Sequence, residues 1–288
     1  MVRRRKNEIL APIVKWVGGK RQLLSEIVPL LPKITKKITY VEPFIGGGAV
    51  IFDQQPVKGI INDYNAELIN VYEVIKNEPK PLLELLEIHK SLNSADYFYE
   101  IRELDRDDKY DDLSSVEKAA RIIYLNKTCY NGLFRVNQAG QFNTPYGKYK
   151  NPNIVNRPVI MAMSDYFNSN DIQIMQGDYR DVLRNLDKNS FVYLDPPYMP
   201  ISSSSSFTGY TENGFSGIEQ LNLKNICDEL NERGIKFLLS NSDHPYLREI
   251  YSKYKITTVQ ARRTINSNAK RRGEINEILV RNYGEDNY

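Results

Sequence analysis

Strand-length apolar runs alternate with helix-spaced apolar positions at both ends of this 288-residue chain, while helix spacing alone fills most of the stretch between them. Residues 38 to 75 read strand, helix, strand, helix. Tyr40-Val41 leads into a Gly-rich turn, Ala49-Val50-Ile51-Phe52 opens a helix, Gly59 to Asp63 is a short strand, and Asn65 to Lys76 is helical. Residues 80 to 127 show no strand pattern, and Pro81 to Leu92, Ala95 to Asp105 and Ser114 to Asn126 carry helical spacing. Ser114-Ser115-Val116-Glu117 reads as a capping box with Ser114 as N-cap. Phe134 to Asn143 alternates around Gly140 and predicts a β-hairpin. Strands are predicted again at 172–175, 191–194, 236–240, 255–260 and 276–282. The order predicts an α/β domain interrupted by a mostly helical insertion that bears a hairpin. No internal repeat occurs, and Ser202 to Ser206, the one low-complexity stretch, is expected to be a mobile loop.

Length admits one large or two moderate domains, each able to bury a core. Cys129 and Cys227 are far apart and form no CxxC, which argues against a disulfide framework and a zinc site. Two histidines, His89 and His244, are too few for a His-rich metal centre and are expected at the surface or at helix caps. No signal pattern and no membrane-length apolar run is seen, so a reducing cytoplasm is the expected compartment. Net charge is only +3, but its distribution is uneven. Lys118 to Arg157 and Lys255 to Gly273 contain cations and no acids, and Arg3-Arg4-Arg5-Lys6 adds a basic arm. The second stretch holds Arg262, Arg263, Lys270, Arg271 and Arg272. The acids gather in Glu100 to Asp112, read as a solvated face. Basic stretches interleaved with Tyr, Asn and Gln are the footprint of phosphate contact and base reading, although any one of them alone could be a solvated face.

Chemistry concentrates where the apolar run Phe191 to Leu194 ends in Asp195-Pro196-Pro197-Tyr198. Each proline fixes its own φ, lacks an N–H and extends the residue before it. One carboxylate, directed carbonyls and a flat ring then lie together, which suits a planar base with an exocyclic amine; a strand closing in a Pro-Pro turn gives the same four residues. Upstream, Glu42-Pro43-Phe44-Ile45-Gly46-Gly47-Gly48 joins a strand to a helix and lets a nucleotide-like ligand approach the backbone. Asp63 closes the next strand, where dinucleotide folds keep an acid for ribose hydroxyls. Lys15-Trp16-Val17-Gly18-Gly19-Lys20-Arg21 lacks the spacing of a phosphate-binding P-loop. It suits either a small carboxylate-bearing ligand or an N-terminal loop anchored by a core Trp.

KWVGGKRQL, VEPFIGGGAVIF, INDYNAELIN, YNGLFRVN with QFNTPYGKYKNP, and DPPYMPISSSSSFTGYT occur in one order. From about Lys15 to about Tyr283 the chain resembles the Dam-type DNA adenine-N6 methyltransferases, in particular the restriction–modification members that methylate GATC. The resemblance implies a Rossmann-like class I methyltransferase sheet with an inserted, mostly helical target-recognition domain carrying a β-hairpin. The implied division is 1–67 with 168–288 as the catalytic domain and 68–167 as the recognition domain. Trp16, Lys20, Glu42, Pro43, Phe44, Gly46, Gly48, Asp63, Asp178, Tyr179 and Asp195 would surround S-adenosyl-L-methionine. Among these, Asp63 would take the ribose hydroxyls, Asp178 the cofactor's adenine amine, Phe44 and Tyr179 would pack on the cofactor, and Lys20 would pair with its carboxylate. Asp178 read structurally is a helix N-cap. Lys15, Tyr130, Asn131, Leu133, Arg135, Asn137 and Pro145 would contact double-stranded DNA.

The implied reaction moves a methyl group from a sulfonium to N6 of an adenine flipped out of the duplex. Asp195 and the Pro196 carbonyl would each accept one N6 hydrogen, Pro197 would hold the turn, and Tyr198 would stack on the base. No metal is required. Arg135 on the hairpin suits the O6/N7 edge of guanine, and Leu133 or Tyr130 could wedge into the stack. A cognate restriction endonuclease acting on the same site is an expected partner, without a stable complex. The competing readings are adenine-N6 methylation of another DNA target or of RNA, methylation of glutamine or cytosine-N4, where Asn or Ser would more often replace Asp195, and a non-catalytic DNA-binding protein, which would not need the Asp-Pro-Pro-Tyr and cofactor motifs together.

Overall fold

Phe191 to Leu194 are all buried, which is what a strand flanked on both sides by other strands requires. In the computed structural model, which describes residues 6–200, 215–262 and 274–284, this run is one strand of a seven-stranded mixed sheet. In chain order the elements are α1 (Leu24–Ile27), β1 (Thr39–Glu42), α2 (Ala49–Gln54), β2 (Lys58–Asp63), α3 (Ala66–Asn77), α4 (Pro79–Leu92), α5 (Ala95–Glu103), α6 (Ser115–Thr128), α7 (Arg157–Ser169), β3 (Asp171–Gln176), α8 (Tyr179–Arg184), β4 (Ser190–Leu194), α9 (Gly217–Glu232), β5 (Lys236–Ser242), α10 (Pro245–Ile250), β6 (Lys255–Arg262) and β7 (Glu274–Arg281). The basic residues Arg3 to Arg5, the serines Ser202 to Ser206, and Arg263, Lys270, Arg271 and Arg272 lie outside the described residues.

Sheet order is β3-β2-β1-β4-β5-β7-β6. β1 pairs in parallel with β2 and β4, and β4 with β5, whereas β7 runs antiparallel to both β5 and β6. The chain order reverses between β1 and β4, the switch point at which open α/β sheets bind ligands beyond the carboxyl ends of their strands. Glu42 ends β1 there, and Asp195 follows β4. The expected α/β sheet is thus present.

The chain forms two compact units, the first of 1–19, 46–57 and 65–176 and the second of 20–45, 58–64 and 177–288. This cut differs from the division at 67/68 and 167/168 that the resemblance implies, because it places the segment through Gly19, the Gly-loop helix α2 and β3 with the helices. The second unit holds β1, β2, β4, β5, β6 and β7 with α8, α9 and α10. The first is organised around α6, whose Ala119, Ala120, Ile122, Ile123, Tyr124 and Leu125 are all buried against α3, α4 and α5. The capping box forms as predicted: Ser114 Oγ accepts from the Glu117 N–H and Glu117 Oε2 accepts from the Ser114 N–H.

Three expectations need correction. The acidic stretch is not wholly a solvated face. Arg121 on α6 is 1% exposed, and Asp105 turns inward to meet its Nη2 at 2.8 Å while the Ile101 and Arg102 carbonyls take further guanidinium hydrogens. A buried guanidinium demands such partners. The hairpin is reduced to a single antiparallel bridge, Val136 with Phe142. The Asn137 and Asn143 N–H groups donate across it to the Gln141 and Arg135 carbonyls, each at 2.9 Å, and Asn137 Oδ1 closes the turn by accepting from the Ala139 and Gln141 N–H groups.

The third correction concerns His89. His244 caps α10 as expected, but His89 is half-buried, stacked on Tyr124 with centroids 4.9 Å apart and hydrogen-bonded to the Tyr97 hydroxyl. Burial lowers its pKa to about 4. The neutral ring is therefore favoured in the fold. As pH falls below the ordinary histidine range the unfolded chain takes a proton that the folded chain refuses, and stability is lost until the folded pKa is passed. Replacing His89 by Phe removes this effect. The variant should gain on wild type by on the order of 1–2 kcal/mol between pH 7 and pH 5. Urea unfolding at the two pH values measures it, and a constant difference would show that His89 titrates normally.

Candidate active site

β4 delivers Asp195 to the end of the sheet in the second unit, and the surrounding side chains fix its carboxylate. Lys20, in the 3-10 turn Lys20–Leu23, places Nζ 2.7 Å from Asp195 Oδ1. Ser240, buried on β5, donates its hydroxyl to the same oxygen at 3.0 Å. Two donors on Oδ1 leave Oδ2 as the acceptor that a substrate amine would use. Burial pushes the Asp195 carboxyl above its ordinary pKa, and the Lys20 ammonium and Ser240 hydroxyl oppose that rise. Lys20 is only 4% exposed and lies 4.5 Å from the centre of the Tyr198 ring. The ammonium expected to meet a cofactor carboxylate is therefore seated on the acid and over the Tyr198 ring.

The turn after Asp195 is held by residues that no local motif marks. Gln220 of α9 donates to the Pro197 carbonyl at 3.0 Å and accepts from Asn241 Nδ2 at 3.0 Å. Asn241 in turn accepts from the Met199 N–H. Tyr198 donates to Glu277 Oε2 at 2.6 Å, so the ring is anchored from β7. Burial raises the Tyr198 hydroxyl far above its usual pKa, with the Asp195 and Glu277 charges acting in the same direction. Tyr198 is therefore a neutral hydrogen-bond donor, not a base.

Other predicted cofactor residues of this unit gather at the ends of β1 and β2. Asn62 Nδ2 donates to the carbonyls of Pro43 and Gly177, each at 3.0 Å, and ties together the turns that carry Phe44 and Asp178. Phe44 and Tyr179 pack at 5.0 Å between centroids, with Phe215 beside both. Asp63 closes β2 half-buried, its carbonyl accepting from the Gly177 N–H at 3.1 Å. Glu42 is buried and accepts from the Tyr40 hydroxyl at 2.7 Å. Asp178 is the N-cap of α8, accepting from the Arg180 N–H and from Arg180 Nη1. The structural reading of Asp178 is thus realised, and each carboxylate oxygen keeps a second acceptor position. Strand-end acids beside an aromatic pair fit a nucleoside-bearing cofactor.

The first unit carries Gly46, Gly48, Trp16 and the predicted DNA-contacting residues. Gly46 and Gly48 hold positive φ, and a Cβ on Gly46 would stand 2.9 Å from Trp16 Cδ1. Trp16 stacks on Phe134 at 4.8 Å, next to Arg135. Lys15, Arg135 and Pro145 are exposed, Tyr130 is 54% exposed, and Asn131 adopts a left-handed φ of 58°. Tyr130 N–H donates to the Pro145 carbonyl at 2.8 Å, and Thr144 Oγ1 donates to the Leu133 carbonyl at 2.6 Å, so these residues share one edge. Arg135 is aimed by Asn143, which takes Nε at 2.7 Å through its side chain and Nη2 at 3.3 Å through its carbonyl. Asn137 is committed inside its own turn, its Nδ2 donating to Gln141 Oε1. Burial, with the nearby charge of Lys15 as the lesser cause, pushes the Lys127 ammonium down to about 8.

Sequence reasoning missed Ser240, Glu277, Gln220, Asn241, Asn62, Asn143 and Asn126. Among the described residues no group of three or more His, Cys, Asp or Glu could hold a metal, and no helix is long and apolar enough to cross a membrane.

Sheet, switch point and strand-end residues together define an α/β fold of the class I methyltransferase type. The profile of the D12 class N6 adenine-specific DNA methyltransferases matches residues 16–265, and the chain belongs to that family. It is 46% identical over 280 residues to the Type II methyltransferase M1.LlaDCHI of Lactococcus lactis subsp. cremoris, covering 97% of this chain and 98% of that one. It is 40% identical to the Type II methyltransferase M.MjaIII of Methanocaldococcus jannaschii, covering 94% and 99%. Identity to the DNA adenine methylase of Escherichia coli K12 is 34%, with 93% of each chain covered. The chain is an adenine-specific DNA methyltransferase by family, and methyltransferases of this kind generally draw on S-adenosylmethionine.

Proposed function

We propose that this enzyme transfers a methyl group from S-adenosyl-L-methionine to N6 of an adenine flipped out of double-stranded DNA, with GATC as its target. The observation that carries the reading is the Asp195 carboxylate, with Oδ1 held by Lys20 and Ser240 and Oδ2 left for the amine, beside Pro196 and Tyr198. The cofactor supplies an electrophilic methyl group. Asp195 Oδ2 and the Pro196 carbonyl accept the two N6 hydrogens, which turns the nitrogen lone pair out of conjugation and towards the methyl. The same acceptors stabilise the positive charge that develops on nitrogen as the S–CH3 bond breaks to leave a neutral thioether, and one N6 hydrogen then departs as a proton to solvent. Gln220 occupies the Pro197 carbonyl, which supports Pro196 as the second acceptor. Tyr198 stacks on the extruded base and offsets part of the few kcal/mol that unstacking costs.

Asp63 is assigned to the ribose hydroxyls, Phe44 and Tyr179 to the cofactor's rings, and Trp16, Gly46 and Gly48 to its approach. Residues 68–167 are assigned the recognition role, with Lys15, Tyr130, Asn131, Leu133 and Pro145 on the duplex and Asn137 shaping the turn. The likeness of Tyr130 to Tyr146 to GATC-methylating enzymes supports the target, and the Asn143 contact supports Arg135 as the guanine reader. Such an enzyme works in the cytoplasm on cellular DNA, alongside an endonuclease of the same specificity, without a stable complex between them.

Sequencing-based mapping of methylated adenines in duplex DNA treated with the enzyme and cofactor tests the target. Arg135→Ala should lose ~1–3 kcal/mol of discrimination at one base pair of the site. Rates on the intact site and on single-substitution sites read this. An equal loss on every site would make Arg135 a phosphate contact, and mapped sites other than GATC, or methylation of RNA alone, would overturn the target.

A further inference from the structure

Asn126, near the end of α6, is 1% exposed and belongs to none of the motifs that mark catalysis or DNA reading. Its side chain nevertheless binds the backbone of two segments assigned to the duplex. Oδ1 accepts from the Lys15 N–H at 2.8 Å, and Nδ2 donates to the Lys15 carbonyl at 2.8 Å. Nδ2 also donates to the Gly132 carbonyl at 3.2 Å. The amide thus imitates a strand partner for Lys15, a residue 111 positions away, and uses its remaining hydrogen on the turn Tyr130–Gly132.

The two segments also meet directly. Gly132 has φ +65°, and a Cβ there would stand 2.5 Å from Lys15 Cδ, so the lysine stem lies over the turn. Trp16, the next residue after Lys15, stacks on Phe134, which precedes Arg135. Lys15, the wedge candidates Tyr130 and Leu133, and the Arg135 neighbour Phe134 are thereby referred to one buried amide.

We propose that Asn126 is a positioning residue for sequence discrimination, fixing Lys15 and the Tyr130–Leu133 turn in one frame so that both engage the same site. The inference rests on the assignment of these two segments to DNA. If the frame loosens, the contacts that depend on joint register weaken first, whereas general attraction to phosphate persists. Base contacts are the part of a DNA interface that specifies, and phosphate contacts only position.

Asn126→Asp provides an isosteric test, because the carboxylate can still accept from the Lys15 N–H but faces two carbonyls with no hydrogen to give them. Asn126→Ala removes the clamp altogether. Methylation rates on a duplex carrying the site preferred by wild type, and on duplexes with one base pair changed, give the discrimination ratio. Both variants should lose ~10-fold or more of that ratio, the size of one good base contact. Affinity for a duplex that lacks the preferred site should stay within a few-fold of the wild-type value. Gly132→Ala, which drives the turn off the lysine stem while leaving Asn126 intact, should cause the same loss and serves where the Asn126 variants do not fold. Wild-type discrimination in Asn126→Asp, or in folded Gly132→Ala, overturns the proposal. A wild type without any site preference overturns the assignment of these segments to DNA, and the proposal with it.

Discussion

Asp195→Ala should leave an enzyme that folds and binds duplex DNA but no longer methylates it. The carboxylate supplies one of the two acceptors for the adenine amine, and loss of one such charge-stabilising partner costs ~10²–10³ in rate, or about 3–4 kcal/mol. Removing the acid also removes the partner of a buried cation. Lys20 is 4% exposed with Asp195 as its neighbour at 2.7 Å, so the variant takes the carboxylate away from a buried ammonium beside Tyr198. Part of the damage will appear as lower stability, since breaking a buried pair from one side is strongly destabilising. Asp195→Asn separates the two effects. The amide keeps an acceptor oxygen for either Ser240 or the substrate, but it cannot balance Lys20 or match the carboxylate's hold on developing charge. Single-turnover methylation with all sites occupied, beside duplex affinity and urea unfolding of both variants, distinguishes chemistry from folding. A rate within a few-fold of wild type in either variant would falsify the role given to Asp195.

Legibility from the sequence follows contiguity. Asp195 to Tyr198, the Gly-rich turn and the strand ending in Asp63 each lie within a few residues and sit on the expected elements, because a strand followed by a turn is a local event. Partners supplied by distant strands leave no such trace. Ser240 is 45 positions from the carboxylate it supports, and Glu277 is 79 from the hydroxyl it receives. Both sit on strands whose apolar periodicity announces β5 and β7 but does not say which strand end lies beside them. Polar alternation around a glycine places the hairpin but not its short length, nor the closure of its turn by the Asn137 side chain. Asp105 reads as solvent-facing because it stands among acids, yet one buried guanidinium, Arg121, is enough to draw it in. His89 misleads for a similar reason: residue type favours the surface, but the α4 face it occupies packs on Tyr124.

Lys20 is the residue for which sequence and structure point to different partners, and its substitution should show which governs the rate. The resemblance gives its ammonium to the cofactor's carboxylate, whereas the structure seats it on Asp195 Oδ1. Among the described residues the groups facing that carboxylate are Lys20, Ser240 and the hydroxyl-bearing Tyr193 and Tyr198, with Glu277 behind the Tyr198 hydroxyl. Lys20 is the only cation among them. Burial already lifts the Asp195 pKa, and Lys20→Met removes the largest influence opposing that lift. The ionised carboxylate is the form that accepts the N6 hydrogens, so activity is lost as pH falls through the Asp195 pKa. In Lys20→Met that loss must occur at higher pH than in wild type, because each pKa unit reflects ~1.4 kcal/mol of lost preference for the charged form. At neutral pH the rate should drop by ~10–10², with partial recovery as pH is raised and in Lys20→Arg, which keeps the charge. Rates at saturating cofactor are needed, since a lysine that only holds the cofactor would raise its Kd and leave both the saturated rate and the acid limb unmoved. A displaced acid limb assigns Lys20 to the catalytic carboxylate; an unmoved one returns it to the cofactor.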